Sequence, residues 1–377
     1  MDLPALQAAG LYDPASPTAG DRLALLEHLE RRGASIEDMV AADAAGLLYG
    51  LISYLTAFPS VPQLTIDEVS RRSGMSEHGI RRLQLAQGLP VDETTRLPDF
   101  VVDDVEAFAL GTSMFGEEST LAFTRVMGAS VARIVDAAIG IFYGEVDPTL
   151  STDATELERA EINERAGAVF AVVPSVVVHL LQQCFGLQSM RAASVHGAGV
   201  GQTATVGVGF VDLVGSTAWA ESLSLKDHAL ALARFETAAW DIAVAGGGSV
   251  VKLIGDAAMI VAPSPEAVCR VAVDLCAAAA ADASLPAARG AVGYGDVTAR
   301  GGDYVGPLVN LVARAVKVAG AGAVVVTDDV RTRLPARWPV TDIGSHVLRG
   351  IDDETRLFRL DADGAGADLD GGVTEGR

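Results

Sequence analysis

Apolar positions along this 377-residue chain change their period about half-way. In the first half they recur every three or four residues, the spacing of amphipathic helices. Residues 21–30 carry such a stripe, and Ser35-Ile36-Glu37-Asp38 reads as an N-cap with acids in the first helical turn. Residues 64–89 predict a helix, a turn at Gly74 and a second helix capped by Ser76, the outline of a helix-turn-helix. From 102 to about 190 the pattern stays helical and unusually apolar, and Val105, Phe108, Ala109, Phe123, Met127, Ile134 and Ile141 are expected to line helix–helix interfaces. Apolar composition fits a packed core and a pocket for a lipid equally well there.

Beyond residue 203 the period shortens. Val206, Val208 and Phe210 alternate as in a half-buried strand, which Asp212 closes. Residues 250–254 and 257–261 are two β-rich runs joined by Gly255-Asp256, which is hairpin chemistry. Helices are expected over 225–242 and 268–281, strands over 288–297, 323–327, 339–347 and 355–360. Between them a glycine-rich turn at Asp303 leads into a helix with Pro307 in its first turn. This alternation predicts an α/β sandwich with helices packed on a mostly antiparallel sheet. The organisation expected is a helical domain over 1–191, a small-residue linker over 192–203, an α+β domain over 204–361 and a disordered tail over 362–377.

A net charge of −21 argues against broad contact with nucleic acid or an anionic membrane, both of which need a basic face. Cys184, Cys269 and Cys276 are too few and scattered for a disulfide framework, which points to a reducing cytoplasm. The start, Met1-Asp2-Leu3-Pro4, lacks a basic-then-apolar leader. The longest apolar run, 166–181, falls short of the roughly 20 residues a bilayer needs and is expected to be a buried helix, with no transmembrane segment.

The chemistry concentrates in the second half. A strand-end aspartate and a hairpin-tip aspartate suit Mg²⁺ or a similar hard cation, which takes one or two carboxylates and completes its shell with substrate phosphates. Asn310 and Arg314, four apart, project from one helix face, and their amide and guanidinium suit polyphosphate and the charge that develops in phosphoryl transfer.

Phe210-Val211-Asp212, Lys252 to Asp256 and Asp303 to Arg314 together resemble the catalytic domain of the class III nucleotidyl cyclases, and specifically their adenylyl cyclases. The resemblance spans about 203–360 and implies a ferredoxin-like fold. It also implies two Mg²⁺ or Mn²⁺ ions per site on Asp212, Asp256 and the Leu213 carbonyl. Lys252 and Asp303 would read adenine, Asn310 and Arg314 would support the transition state, and Arg349 would face the triphosphate where many members have lysine. ATP is then the substrate, cyclic AMP and pyrophosphate the products, and a homodimer the working unit, because the family's sites are shared between two catalytic domains.

The first half resembles the helical autoinhibitory domain of some actinobacterial adenylyl cyclases, a group with pH response and, in some members, fatty-acid effects. That resemblance implies regulation by pH or a lipid, with His179 and His196 as the titratable groups beside the linker. The alternative reading is a silent cyclase-like module with a DNA-binding helix-turn-helix, in which Arg71, Arg72, Arg81 and Arg82 would meet phosphates. Against it stand the acidic chain and the polar residues at all six catalytic positions.

Overall fold

The computed structural model describes residues 2–58, 61–146, 151, 153–195 and 203–361, over which the chain divides into two units, Met1–Gly186 and Leu187–Arg377. His196, most of the expected linker and the tail from 362 lie outside the described residues.

The first unit opens with α1 (Leu3–Ala8), α2 (Ala19–Arg31), α3 (Ile36–Ala44), a 3₁₀ turn at Leu48–Gly50 and α4 (Leu51–Ala57). Ser35 caps α3 in a reciprocal box with Asp38, so the first-turn amides are satisfied by side chains. Leu6, Leu25, Leu26, Leu29 and Ile52 form this core. Then come β1 (Gln63–Thr65), α5 (Ile66–Ser73), α6 (Glu77–Ala86) and β2 (Arg96–Pro98), with β1 and β2 paired antiparallel, so the unit is helical apart from one short ribbon. Gly74, at φ +73°, ends α5 in the left-handed conformation, and Ser76 caps α6, which builds the expected helix-turn-helix outline.

The rest of the unit is α7 (Val101–Phe115), α8 (Glu117–Ile141), a π turn at Phe142–Val146, α9 (Glu156–Phe170) and α10 (Val173–Val195). Helix α9 packs on α4 so tightly that a Cβ on Gly167 would lie 2.5 Å from the Ser53 carbonyl oxygen. Arg22 of α2 clamps α9 and α3 through Glu156 and Asp43, each at 2.8 Å. Helix α10 continues through 192–195, so the chain is still helical where the linker was expected to begin.

The apolar stretch departs from expectation. Val105 is buried and Phe108 half-buried, but Ala109, Phe123, Met127, Ile134 and Ile141 are exposed, as is most of α10 up to Leu187. The helices that α8 meets most extensively are α6 and α7, and many of its apolar side chains remain exposed. Of the run 166–181, expected to be a buried helix, only Gly167 is buried. By length and composition alone, Glu117–Val146 and Glu156–Leu187 are long and apolar enough to cross a membrane. Between α6, α7 and α8 lies an open cavity of about 610 Å³ lined by Leu83, Phe108, Phe115, Phe123 and Met127, with Asp104 at its side. Burial, reinforced by Asp103, pushes the Asp104 carboxyl above its usual range.

The second unit is an eight-stranded sheet with helices on both faces. It comprises β3 (Thr203–Leu213), α11 (Ser216–Glu221), α12 (Leu225–Ala245), β4 (Ser249–Ile254), β5 (Ala257–Ala262), α13 (Pro265–Ala281), β6 (Ala288–Arg300) and β7 (Asp303–Val305). There follow α14 (Pro307–Ala315), β8 (Val324–Thr327), α15 (Asp328–Arg331), β9 (Val340–His346) and β10 (Thr355–Leu360). The sheet order is β4-β5-β3-β6-β8-β10-β9, with β7 paired to β6, and every pairing is antiparallel except β6 with β8. Elements β3, α12, β4, β5, α13 and β6 make the β-α-β-β-α-β ferredoxin-like arrangement.

Alternation along β3 sorts the two cores. Val211 and Leu213 join the layer under α12 and α13, while Val206, Val208 and Phe210 face α14. Gly207 lies on the α13 side, where a Cβ would meet Val268 Cγ1 at 2.4 Å, so the absence of a side chain lets helix and sheet approach.

Candidate active site

Asp212 follows Phe210 on the α14 face of β3 and is only 4% exposed. Directly opposite it are Ala257 on β5 and Arg289 on β6. The Arg289 guanidinium donates to Asp212 Oδ2 from Nε at 3.1 Å and Nη2 at 3.0 Å, and Lys317 Nζ, just past α14, donates to the same oxygen at 2.8 Å. A buried carboxylate needs such compensation, because an unpaired charge out of water is costly.

Asp256 sits in the hairpin between β4 and β5, where Gly255 takes φ +61°. Its main-chain carbonyl accepts from the Leu213 amide at 3.2 Å, which draws the turn against the end of β3. The Leu213 side chain is buried, so only its backbone is available to a ligand. Two carboxylates beside a main-chain carbonyl are hard oxygen donors, the kind Mg²⁺ and Mn²⁺ take. Among the described residues no three His, Cys, Asp or Glu side chains form a ligand cluster.

Lys252 lies opposite Met259, which lies opposite Phe210, so Lys252 shares the face of Asp212, two residues along β3 or about 7 Å. Its Nζ donates to Asp303 Oδ2 at 2.5 Å, and Asp303 Oδ1 accepts from the Tyr304 amide at 2.7 Å. Asp303 is the first residue of β7 and not part of a free turn, because it pairs with Arg300 at the far end of β6.

Helix α14 lays Val309 and Val312 on the sheet and leaves Asn310 exposed and Arg314 half-buried. Arg314 Nε donates to the main-chain carbonyl of Arg349, whose residue is otherwise exposed. Among the described residues, neither Asn310 nor Arg314 hydrogen-bonds Asp212, Asp256, Lys252 or Asp303. One chain thus joins Lys252 to Asp303 on the sheet face that carries Asp212.

Sequence reasoning missed Arg289 and Lys317. A basic residue near the start of a strand and another three positions after Arg314 were visible, but only the β3–β6 register brings Arg289, and the end of α14 Lys317, to Asp212.

No family model matches the chain. An uncharacterized protein of Mycobacterium tuberculosis is 31% identical over 367 residues, covering 96% of this chain and 94% of that protein. An adenylate cyclase of Glutamicibacter nicotianae is 28% identical over 337 residues, 80% of each chain. A pH-sensitive adenylate cyclase of Mycobacterium tuberculosis is 29% identical over 316 residues, 78% of this chain and 77% of that one. The chain belongs to the class III adenylyl cyclase family.

As in any cyclase of this class, function rests on the site rather than on the fold. In the helix-turn-helix segment of this family member, Arg71 pairs with Asp67 at 2.7 Å, Arg82 with Glu117 at 2.5 Å, and Arg81 donates to the Asp92 carbonyl at 2.9 Å. Three of the four arginines expected to meet phosphates are already committed within the unit. His179 of this cyclase lies exposed on α10.

Proposed function

We propose that this protein converts ATP to 3′,5′-cyclic AMP and pyrophosphate at two equivalent sites shared between the catalytic units of a homodimer. The observation that carries the reading is the Lys252–Asp303 pair on the same sheet face as Asp212. Lys252 as donor and Asp303 as acceptor match the adenine edge, whose N1 accepts and whose N6 amino group donates, whereas guanine presents the opposite pattern.

Asp212 and Asp256, with the Leu213 carbonyl, would hold two divalent cations, Mg²⁺ or Mn²⁺. Those ions supply activation of the ribose 3′-hydroxyl and neutralisation of the departing pyrophosphate. Lys252 and Asp303 fix the purine, and so set the distance from the 3′-oxygen to the α-phosphorus. Asn310 and Arg314 of the second copy donate to the phosphoryl oxygens as charge builds on them, and Arg349 binds the triphosphate. Among the described residues Asn310 and Arg314 make no hydrogen bond to Asp212, Asp256, Lys252 or Asp303 of their own chain, which fits a site shared between copies.

The first unit regulates the second in this reading, with pH as the signal. The 29% identity to a pH-sensitive cyclase runs over 78% of this chain, more than the second unit alone supplies. The experiment is cyclic AMP formation by the full chain from ATP with Mn²⁺ across about pH 5 to 8, with GTP and Asp212→Ala as controls. Asp212-dependent, ATP-selective, pH-dependent synthesis is expected; no synthesis at any pH would refute it.

A further inference from the structure

Asp212 Oδ2 accepts from two cations of unlike character. Arg289 reaches it from the directly opposite position of the neighbouring strand, with a side chain 19% exposed and two nitrogens on the one oxygen. Its planar fork, anchored in the sheet, is fixed by register. Lys317 reaches it from the segment past α14 with a side chain 62% exposed, through one ammonium at 2.8 Å. A lysine head is a compact, strongly hydrated point charge on a flexible stem, so it reaches water by rotating its own side chain.

We propose that Lys317 is a tethered cation that occupies the carboxylate of Asp212 until a divalent metal displaces it, so that metal entry and lysine release are one exchange. The inference rests on the reading of Asp212 as a metal ligand and adds a residue outside the family's six polar positions.

The exchange follows from charge and geometry. With a side chain only 6% exposed, Asp212 has little water to stabilise its charge when neither cation nor metal is present. Arg289 stays in either state. Lys317 supplies the second positive charge at the same oxygen, which a metal ligated there must also use. An ammonium and a divalent ion on one carboxylate oxygen repel each other at short range, and the more exposed side chain, held by a single nitrogen, is the one free to leave. Lys317 therefore competes with metal and weakens its apparent affinity, while keeping the carboxylate compensated in the metal-free protein.

The test is Mn²⁺ binding to the full chain without nucleotide, read by loss of the free-ion electron paramagnetic resonance signal, for wild type, Lys317→Gln, Lys317→Arg and Asp212→Asn. Lys317→Gln should bind Mn²⁺ about twofold to fivefold more tightly than wild type, the range of one partly screened charge pair. Lys317→Arg should remain near wild type, and Asp212→Asn should lose the binding. The Lys317→Gln protein should also gain more thermal stability on adding Mn²⁺ than wild type gains. Asp212-dependent binding that Lys317→Gln leaves unchanged or weakens would overturn the exchange while leaving the cyclase reading intact. Absence of Asp212-dependent binding in every variant would overturn both.

Discussion

Lys252 and Asp303 stand 51 residues apart in the chain, yet Lys252 Nζ lies 2.5 Å from Asp303 Oδ2. The pair holds itself in place before any purine arrives, with Asp303 further fixed by the Tyr304 amide. Replacing either residue removes a contact to adenine and also leaves the other charge without its partner. Asp303→Ala should lower kcat/KM for ATP by about tenfold to a hundredfold, the cost of one or two charge-assisted hydrogen bonds. Lys252→Glu should lower ATP use similarly and raise the GTP-to-ATP ratio, which parallel assays with both nucleotides would measure. An unchanged ratio would remove these residues from purine selection.

Asp212→Ala and Asn310→Ala should each be nearly inactive alone, and their equimolar mixture should recover about a quarter of wild-type turnover. Random pairing makes about half the dimers mixed, and each mixed dimer holds one intact site of two. A mixture no more active than its components would count against a site built from two copies.

Gly207→Ala should destabilise the second unit more than Gly209→Ala. The new Cβ would lie 2.4 Å from Val268 Cγ1 at position 207, against 3.1 Å from Val268 Cγ2 at position 209. Val268 is β-branched and buried, so it cannot turn aside cheaply. A loss of about 1–3 kcal/mol is expected for Gly207→Ala, measured by urea denaturation. Equal losses at both positions would show that α13 shifts as a body.

Acid should loosen the packing of α2 on α9 through His28. Burial, with the guanidiniums of Arg31 and Arg32, holds this imidazole below its ordinary value of 6.5, even though its Nε2 lies 2.8 Å from Glu164. That carboxylate is already claimed by Arg32, and Arg31 Nη2 lies 3.3 Å from His28 Nδ1, an arrangement a neutral imidazole satisfies. The folded protein thus binds fewer protons here than the unfolded chain. Stability is complete above the unfolded value and is lost as pH falls below about 6.5 towards the lowered folded value. Amide exchange in α2 and α9 should quicken over that window, and His28→Gln should flatten the dependence.

Much of the catalytic half was legible because its signals are local. The alternation from Val206 to Phe210, Gly-Asp at 255–256 and Pro307 ahead of Asn310 each dictate a strand, a turn or a helix start from neighbouring residues alone. Resemblance then placed six polar positions on those elements. The first half was legible as helices for the same reason, with Ser35 and Ser76 marking true N-caps.

Which side chains meet was decided by register and packing, which no local pattern carries. Arg289 and Lys317 reach Asp212 across 77 and 105 residues, and only the β3–β6 pairing and the end of α14 bring them there. Period also says that a helix has an apolar face without saying what covers it. Phe123, Met127, Ile134 and Ile141 of α8, expected at helix–helix interfaces, are exposed. Periodicity thus determined the elements and the residue types on their faces; the tertiary structure decided which charges share an oxygen and which apolar faces stay open.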